Sequence, residues 1–193
     1  TEQYRFGPKI RKEYREKLGL GDKKTFIHVG RFHPAKNHPF LLNLFSEIHK
    51  QDSNTVLLLA GDGPLRPSIE KQIASLNLQN DVVLLGSRDD VPNLLQTADV
   101  FVFPSVWEGL PVTVVEAQAA GLPCFVSSNV TKEVHVSELV NYLSIDNGVD
   151  CWVDSMSQVS TDKKNVVGQI KKAGFDIRYT ANELTNFYQE LVN

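Results

Sequence analysis

The sequence predicts an α/β fold, a Rossmann-like doubly wound parallel sheet followed by a helical tail. From Thr25 onward, short β-rich apolar runs alternate with amphipathic segments, the pattern of successive βα units. The apolar runs are strand-sized: even Val56 to Ala60 and Val100 to Phe103 fall far short of the roughly 20 residues that span a bilayer. A chain of 193 residues with 41% hydrophobic content can bury one sizeable core, so a single such domain is expected.

The elements follow in order. Thr1 to Asp22 is charged, without a signal-peptide pattern, and reads as a linker carrying a helix from Pro8 to Leu18 that Gly19 and Gly21 stop. Strands are expected at Thr25 to Val29, Thr55 to Ala60, Val82 to Leu85, Val100 to Phe103, Pro123 to Val126 and Tyr142 to Ser144. Helices fall between them at Pro39 to His49, Leu65 to Leu76, Val91 to Gln96 and Val112 to Ala120. Pro64 and Pro111 read as helix starts, and Asp90 is placed to cap the helix that carries Pro92 in its first turn. After Val149 the pattern turns helical, at Val149 to Met156, Lys163 to Ala173 and Thr180 to Val192. The expected organisation is residues 1–22 as linker and helix, 23–148 as the α/β domain and 149–193 as a tail packing on it.

Composition narrows the partners. Twenty basic against 23 acidic residues leave a net charge of -3, no field to gather nucleic acid or an anionic membrane, so any polyanion must be held locally. Cys124 and Cys151 lie in apolar surroundings without CxxC or metal-ligand spacing, as buried, reduced thiols of a cytoplasmic protein do. No Asp-x-Asp occurs, and the five histidines, His28, His33, His38, His49 and His135, show no helical ligand pairing, so no metal is expected.

Ligands of doubly wound folds bind at the carboxyl ends of the strands, which directs attention to the loops that follow them. After the first strand, Gly30-Arg31-Phe32-His33-Pro34-Ala35-Lys36-Asn37 places two cations five residues apart. Gly30 lets backbone approach a ligand, Arg31 can fork onto phosphate oxygens and Lys36 adds a point charge, although a plain solvated loop has the same composition. After the second strand, Gly61-Asp62-Gly63-Pro64-Leu65-Arg66 is not a dinucleotide fingerprint, because Arg66 replaces the third glycine, and it reads as a tight turn. After the third, Ser87 and Arg88 either lie beside a nucleotide base or ribose or simply face water.

The most informative loop follows the fourth strand. Glu108 and Glu116 flank seven residues, and the free backbone N–H groups of Gly109, Leu110 and Val112, around Pro111, form a ready anion or hydroxyl site at the helix start. Val112, Val114, Val115, Ala117, Ala119 and Ala120 make that helix almost wholly apolar, so Glu116 is a carboxylate on a buried helix. It needs a cationic partner or hydroxyl donors, and ribose hydroxyls or a structural salt bridge would each serve.

The Gly30-Arg31 to Lys36-Asn37 loop, the Gly61-Asp62-Gly63-Pro64 turn, the Ala98-Asp99-Val100 strand start and the spacing of Glu108 and Glu116 occur together in this order. Over residues 24–145 this set resembles the retaining glycosyltransferases of family 4. Trp107-Glu108-Gly109-Leu110-Pro111, Glu116-Ala117-Gln118-Ala119-Ala120-Gly121-Leu122-Pro123 and the tail at Gly174-Phe175-Asp176-Ile177 are similar to the exopolysaccharide and capsular polysaccharide enzymes among them. The resemblance implies a GT-B architecture of two Rossmann-like domains, of which this chain supplies the C-terminal, donor-binding one and lacks the acceptor-binding one. It implies that Arg31 and Lys36 bind the diphosphate of a nucleoside diphosphate sugar such as a UDP-sugar. Glu108 would contact the transferred sugar, Glu116 the ribose, and backbone from Gly109 to Val112 sugar and phosphate. Catalysis would rest on Glu108, Arg31 and Lys36, with front-face attack by a glycan or lipid-linked acceptor rather than a covalent Glu108 intermediate. A full-length enzyme would then work in the cytoplasm or at the inner face of the membrane, without metal. A nucleotide-sugar-binding module without chemistry, or an epimerase or phosphorylase on the same fold, are the rival readings.

Overall fold

A computed structural model describes residues 2–192. Six strands form one parallel sheet: β1 (Lys24–Val29), β2 (Thr55–Ala60), β3 (Val82–Gly86), β4 (Val100–Phe103), β5 (Cys124–Ser127) and β6 (Val140–Leu143). Their order is β3-β2-β1-β4-β5-β6, so the chain winds outward from the centre first one way and then the other. All six residues of β2 are buried, as expected for a strand covered on both faces.

The pleat sorts side chains into two cores. Ile27, Leu58, Phe101, Phe103, Cys124 and Val126 face one side, packing with helices α4 (Val91–Thr97), α5 (Val112–Ala119) and α7 (Val167–Lys172). Phe26, Leu57, Leu59, Val100, Val102 and Phe125 face the other, where α2 (His38–Gln51), α3 (Arg66–Ser75) and α6 (Gly148–Ser157) lie. In α6, Trp152 is fully buried edge-on to Phe40, and its indole N–H donates to the Ser144 carbonyl at 3.0 Å. The last helix, α8 (Ile177–Val192), leaves Ile177, Leu184, Phe187, Tyr188 and Leu191 exposed. Among the described residues no helix is long and apolar enough to cross a membrane.

Three elements start two or more residues away from expectation, among them α8, at Ile177 rather than Thr180. β6 begins at Val140 rather than Tyr142, because Val140 is buried and pairs with Cys124 at the sheet edge while Asn141 between them turns outward. The seventh helix starts at Val167 rather than Lys163, because the preceding backbone lies flat on the turn after α5: a Cβ on Gly121 would come within 2.6 Å of the Lys164 carbonyl oxygen. Cys124 is buried, which pushes its thiol well above the usual range, but Cys151 is only half-buried because α6 turns Trp152 and Val153 inward instead.

The N-terminal helix α1 (Pro8–Lys17) is tied to the start of β4 by charge. Arg11 donates to the carbonyls of Thr97 at 2.7 Å and Ala98 at 2.9 Å, and Arg15 to that of Thr97 at 3.2 Å, so cations occupy the carbonyl end of α4. Lys163 joins them through the Ala98 carbonyl at 2.5 Å. Burial first, and then the Arg11 guanidinium, push the Lys163 amine down to about 7. Above about pH 7 the folded chain has therefore released a proton that the unfolded chain, with an ordinary lysine, still holds. Stability should rise with pH in that window. Urea midpoints at about pH 6 and pH 9 should show the rise in the natural chain and a flatter response in Lys163→Met. An equal rise in both would place the titration on another group.

Candidate functional site

The strand order reverses between β1 and β4, and the loops leaving their carboxyl ends face each other across that point. The loop after β1 rests on the loop after β2. Gly61, at φ +145°, sits so close that a Cβ would lie 2.0 Å from the Gly30 carbonyl oxygen, which only glycine permits. The Phe32 N–H donates to the Asp62 carbonyl at 2.9 Å, and the Leu65 N–H to the Phe32 carbonyl at 3.2 Å. Asp62 accepts from the Gly63 N–H and from Arg66, so its carboxylate holds the turn, as its sequence context predicts.

Within the β1 loop, Pro34–Lys36 forms one 3-10 turn and Asn37, at φ +54°, redirects the chain into α2. This turn sends Lys36 back under Gly30, where a Cβ would meet Lys36 Cε at 3.1 Å. Lys36 Nζ donates to Glu108 Oε1 at 2.6 Å and lies 4.8 Å from the centre of the Phe103 ring. Arg31 is exposed and has no hydrogen bond or ion pair among the described residues. Of the two cations, one is thus held against the carboxylate of the facing loop and the other is free.

Two buried histidines floor this loop. His28 Nδ1 lies 2.9 Å from the Val102 carbonyl, which assigns the proton to that nitrogen and leaves Nε2 as an acceptor. His38 stands edge-on to it with ring centres 5.1 Å apart. Burial pushes His28 down to about 3 and His38 to about 4, so both are neutral and add no charge beneath Lys36. Among the described residues, His28 Nε2, both His38 nitrogens and Ser105 Oγ are buried without a hydrogen-bond partner. Nothing in the local sequence pattern pairs these histidines; the sheet brings them together.

The loop after β4 carries Glu108, Gly109 and Leu110 to Pro111. Pro111 caps α5 from outside, at φ -74° and ψ 90°, rather than standing in its first turn as the sequence suggests. The first turn is also not buried: Val112 is exposed, together with Val106, Trp107 and Leu110. The eight-residue helix buries Val114, Val115 and Ala117 to Ala119 and projects its start into the crevice as an apolar rim. Thr113 and Glu116 are half-buried on its flank. Glu116 has the hydroxyl donor its position demands, but from within the chain: the Tyr4 hydroxyl donates to Oε1 at 2.5 Å. Burial, then Glu116, push Tyr4 up to about 12.

Asp90 stands at the N-cap of α4 without capping it. Arg88 forks onto its carboxylate, Nε at 2.7 Å and Nη2 at 2.5 Å, and the Tyr14 hydroxyl adds a bond at 3.1 Å. A bidentate guanidinium outcompetes a single backbone N–H for the same oxygens. Arg88 is accordingly folded back along its own loop, while Ser87 is exposed.

The crevice therefore offers a free guanidinium, an ammonium paired with a carboxylate, the start of a helix and a second carboxylate held by a phenol. Such a set suits phosphate oxygens flanked by hydroxyl-rich groups. Among the described residues no group of three His, Cys, Asp or Glu side chains converges as for a metal ion.

Residues 10–174 match the family model described as glycosyl transferases group 1. The chain belongs to this family. It is 37% identical over 191 residues to EpsF of Bacillus subtilis (strain 168), covering 95% of this chain and 50% of that protein. It is 33% identical over 202 residues to the Escherichia coli UDP-Gal:alpha-D-GlcNAc-diphosphoundecaprenol alpha-1,3-galactosyltransferase, covering 97% of this chain and 52% of the other. Among solved structures, Anabaena HepE in complex with UDP-glucose superposes with a TM-score of 0.79 at 19% identity, over 98% of this chain and 55% of that one. The shared sheet and helices give this chain the Rossmann-like fold expected from its sequence. It spans about half the length of the relatives it matches.

Proposed function

We propose that this chain binds a nucleoside diphosphate sugar between the loops after β1 and β4, as the donor side of hexosyl transfer with retention to a glycan or lipid-linked acceptor. The observation that carries the reading is the Lys36–Glu108 pair beside the free Arg31 at the point where strand order reverses. HepE is solved with UDP-glucose, and the Escherichia coli relative is named for a UDP-sugar and a diphosphate-linked lipid acceptor, which supports a UDP-sugar as donor.

In this reading Arg31 forks onto the diphosphate while Lys36 shares its ammonium between phosphate and Glu108. Both cations oppose the negative charge that builds on the leaving diphosphate. Glu108, tied to Lys36, accepts from sugar hydroxyls; an ion-paired carboxylate is a poor nucleophile, which favours attack by the acceptor on the same face. Gly30 and the backbone from Gly109 through Leu110 and Pro111 to Val112 line sugar and phosphate. Arg88, with Asp90, borders the base, and Glu116 takes the ribose hydroxyls.

A panel of UDP, GDP, ADP and their sugars, read by calorimetry and thermal shift, tests the binding step. The matching ligand at about 100 times its Kd should stabilise the chain by about 2.7 kcal/mol. No response to any nucleotide would overturn the proposal. Glu116→Gln should weaken UDP by about 1.5 to 3 kcal/mol, the range for hydrogen bonds to a charged group, and should leave 2′,3′-dideoxyuridine diphosphate nearly unaffected. Equal losses for both ligands would make Glu116 a structural residue.

A further inference from the structure

Tyr4 reaches the candidate site from the far end of the sequence. It closes the 3-10 turn Glu2–Tyr4, and the residues around it are anchored on α4. The Gly7 N–H donates to Gln96 Oε1 at 2.9 Å, and Gln96 Nε2 donates to the Gln3 carbonyl at 3.3 Å. Gln96 itself is fully buried, so the anchor is rigid. The Tyr4 ring packs half-buried on the core beside α5, and its hydroxyl meets Glu116 across a sequence separation of 112 residues.

An ionised carboxylate offers about four acceptor positions on two oxygens, and one phenol uses one of them. Glu116 ends a flexible side chain and has no ion pair among the described residues, so the bond from Tyr4 is what sets how its carboxylate is turned. The phenol holds its proton well above neutral pH, so it donates throughout the working range.

We propose that Tyr4 is a positioning residue for ribose recognition: its hydroxyl occupies Oε1 of Glu116 and presents Oε2, with the remaining lone pair of Oε1, to a vicinal diol. The proposal rests on the reading of Glu116 as the holder of ribose hydroxyls. It adds a specificity element from the N-terminal segment, outside the loops that carry the rest of the site. Fixing the carboxylate before the ligand arrives removes the cost of ordering one flexible side chain, up to about tenfold in affinity.

The test titrates UDP and 2′,3′-dideoxyuridine diphosphate into the 193-residue chain and its Tyr4→Phe, Glu116→Gln and doubly substituted forms, with a melting curve for each. Tyr4→Phe keeps the ring and its packing. It should weaken UDP by about three- to tenfold, leave the dideoxy ligand unchanged, and add nothing further once Glu116 is glutamine. Tighter binding of UDP to Tyr4→Phe would overturn the proposal by making Tyr4 a plug. Equal weakening of both ligands, or no weakening of either, would overturn it by making the contact merely structural. If Glu116→Gln separates the two ligands and Tyr4→Phe does not, only the role of Tyr4 fails; if Glu116→Gln treats them alike, both readings fail together.

Discussion

Asp99→Ala should cost the fold about 3 to 5 kcal/mol, the range for stripping one partner from a buried ionic cluster. Asp99 stands just before β4, at the end of the sheet opposite the crevice, and both of its carboxylate oxygens are engaged. Oδ1 takes Arg11 at 2.6 Å, while Oδ2 takes the Thr25 N–H at 2.8 Å and lies 3.6 Å from Arg15. Alanine would leave the Thr25 N–H buried without a partner and would leave Arg11, Arg15 and Lys163 crowded without their anion. Asp99→Asn can keep the bond to Thr25 and lose the charge, so it should fall between alanine and the natural chain. Urea unfolding of the three proteins checks the order. A loss under about 1 kcal/mol for alanine would show the cluster to be as weak as exposed ion pairs.

Arg31→Ala combined with Lys36→Ala should weaken UDP binding by about 3 to 6 kcal/mol, taking about 1.5 to 3 for each charged hydrogen-bonding group and additivity between them. The single variants should not be equal. Arg31 is exposed and its removal subtracts only its own contact. Removing Lys36 also frees the Glu108 carboxylate, 13% exposed, to repel the phosphates that Lys36 would have met. Lys36→Ala should therefore be the worse single variant, and Glu108→Gln placed beside it should recover part of the loss. Calorimetry with UDP measures each affinity, and melting curves establish that the fold is kept. Unchanged affinity in both single variants would move the phosphate site elsewhere.

The sheet was legible because its chemistry is local. A strand covered on both faces must be apolar along its whole length, and Thr55–Ala60 and Val100–Phe103 announce themselves that way. Of the candidate site, the sequence marks the stretches where charge and glycine stand in one loop, as at Gly30, Arg31 and Lys36, or close together, as at Glu108 and Glu116. Partnerships across the chain were not legible. Lys36 and Glu108 lie 72 residues apart, Arg11 and Asp99 88, and Tyr4 and Glu116 112, and no periodicity links such pairs. Asp90 misled for a different reason: an N-cap position predicts a capping bond only when no guanidinium competes, and Arg88 stands two residues away. Tyr4 carried one usable signal, shared with Phe6 and Tyr14, since an aromatic side chain in a charged segment has to place its ring somewhere.

The seam between β1 and β4 also bears on how the molecule comes apart. β1 to β3 occupy residues 24–86 and β4 to β6 residues 100–143, so each half of the sheet is continuous in sequence. The halves meet along two paired positions, Phe26 with Val100 and Ile27 with Phe101, against six between β1 and β2. Closing that seam joins strands separated by residues 30–99 for little ladder in return, so it should come late in assembly. A ligand gripped by Arg31 and Lys36 on one half and by Glu108 and Glu116 on the other would act as a clasp across the seam. Its stabilisation would then appear chiefly as a slower opening rate, with the rate of folding left almost where it was.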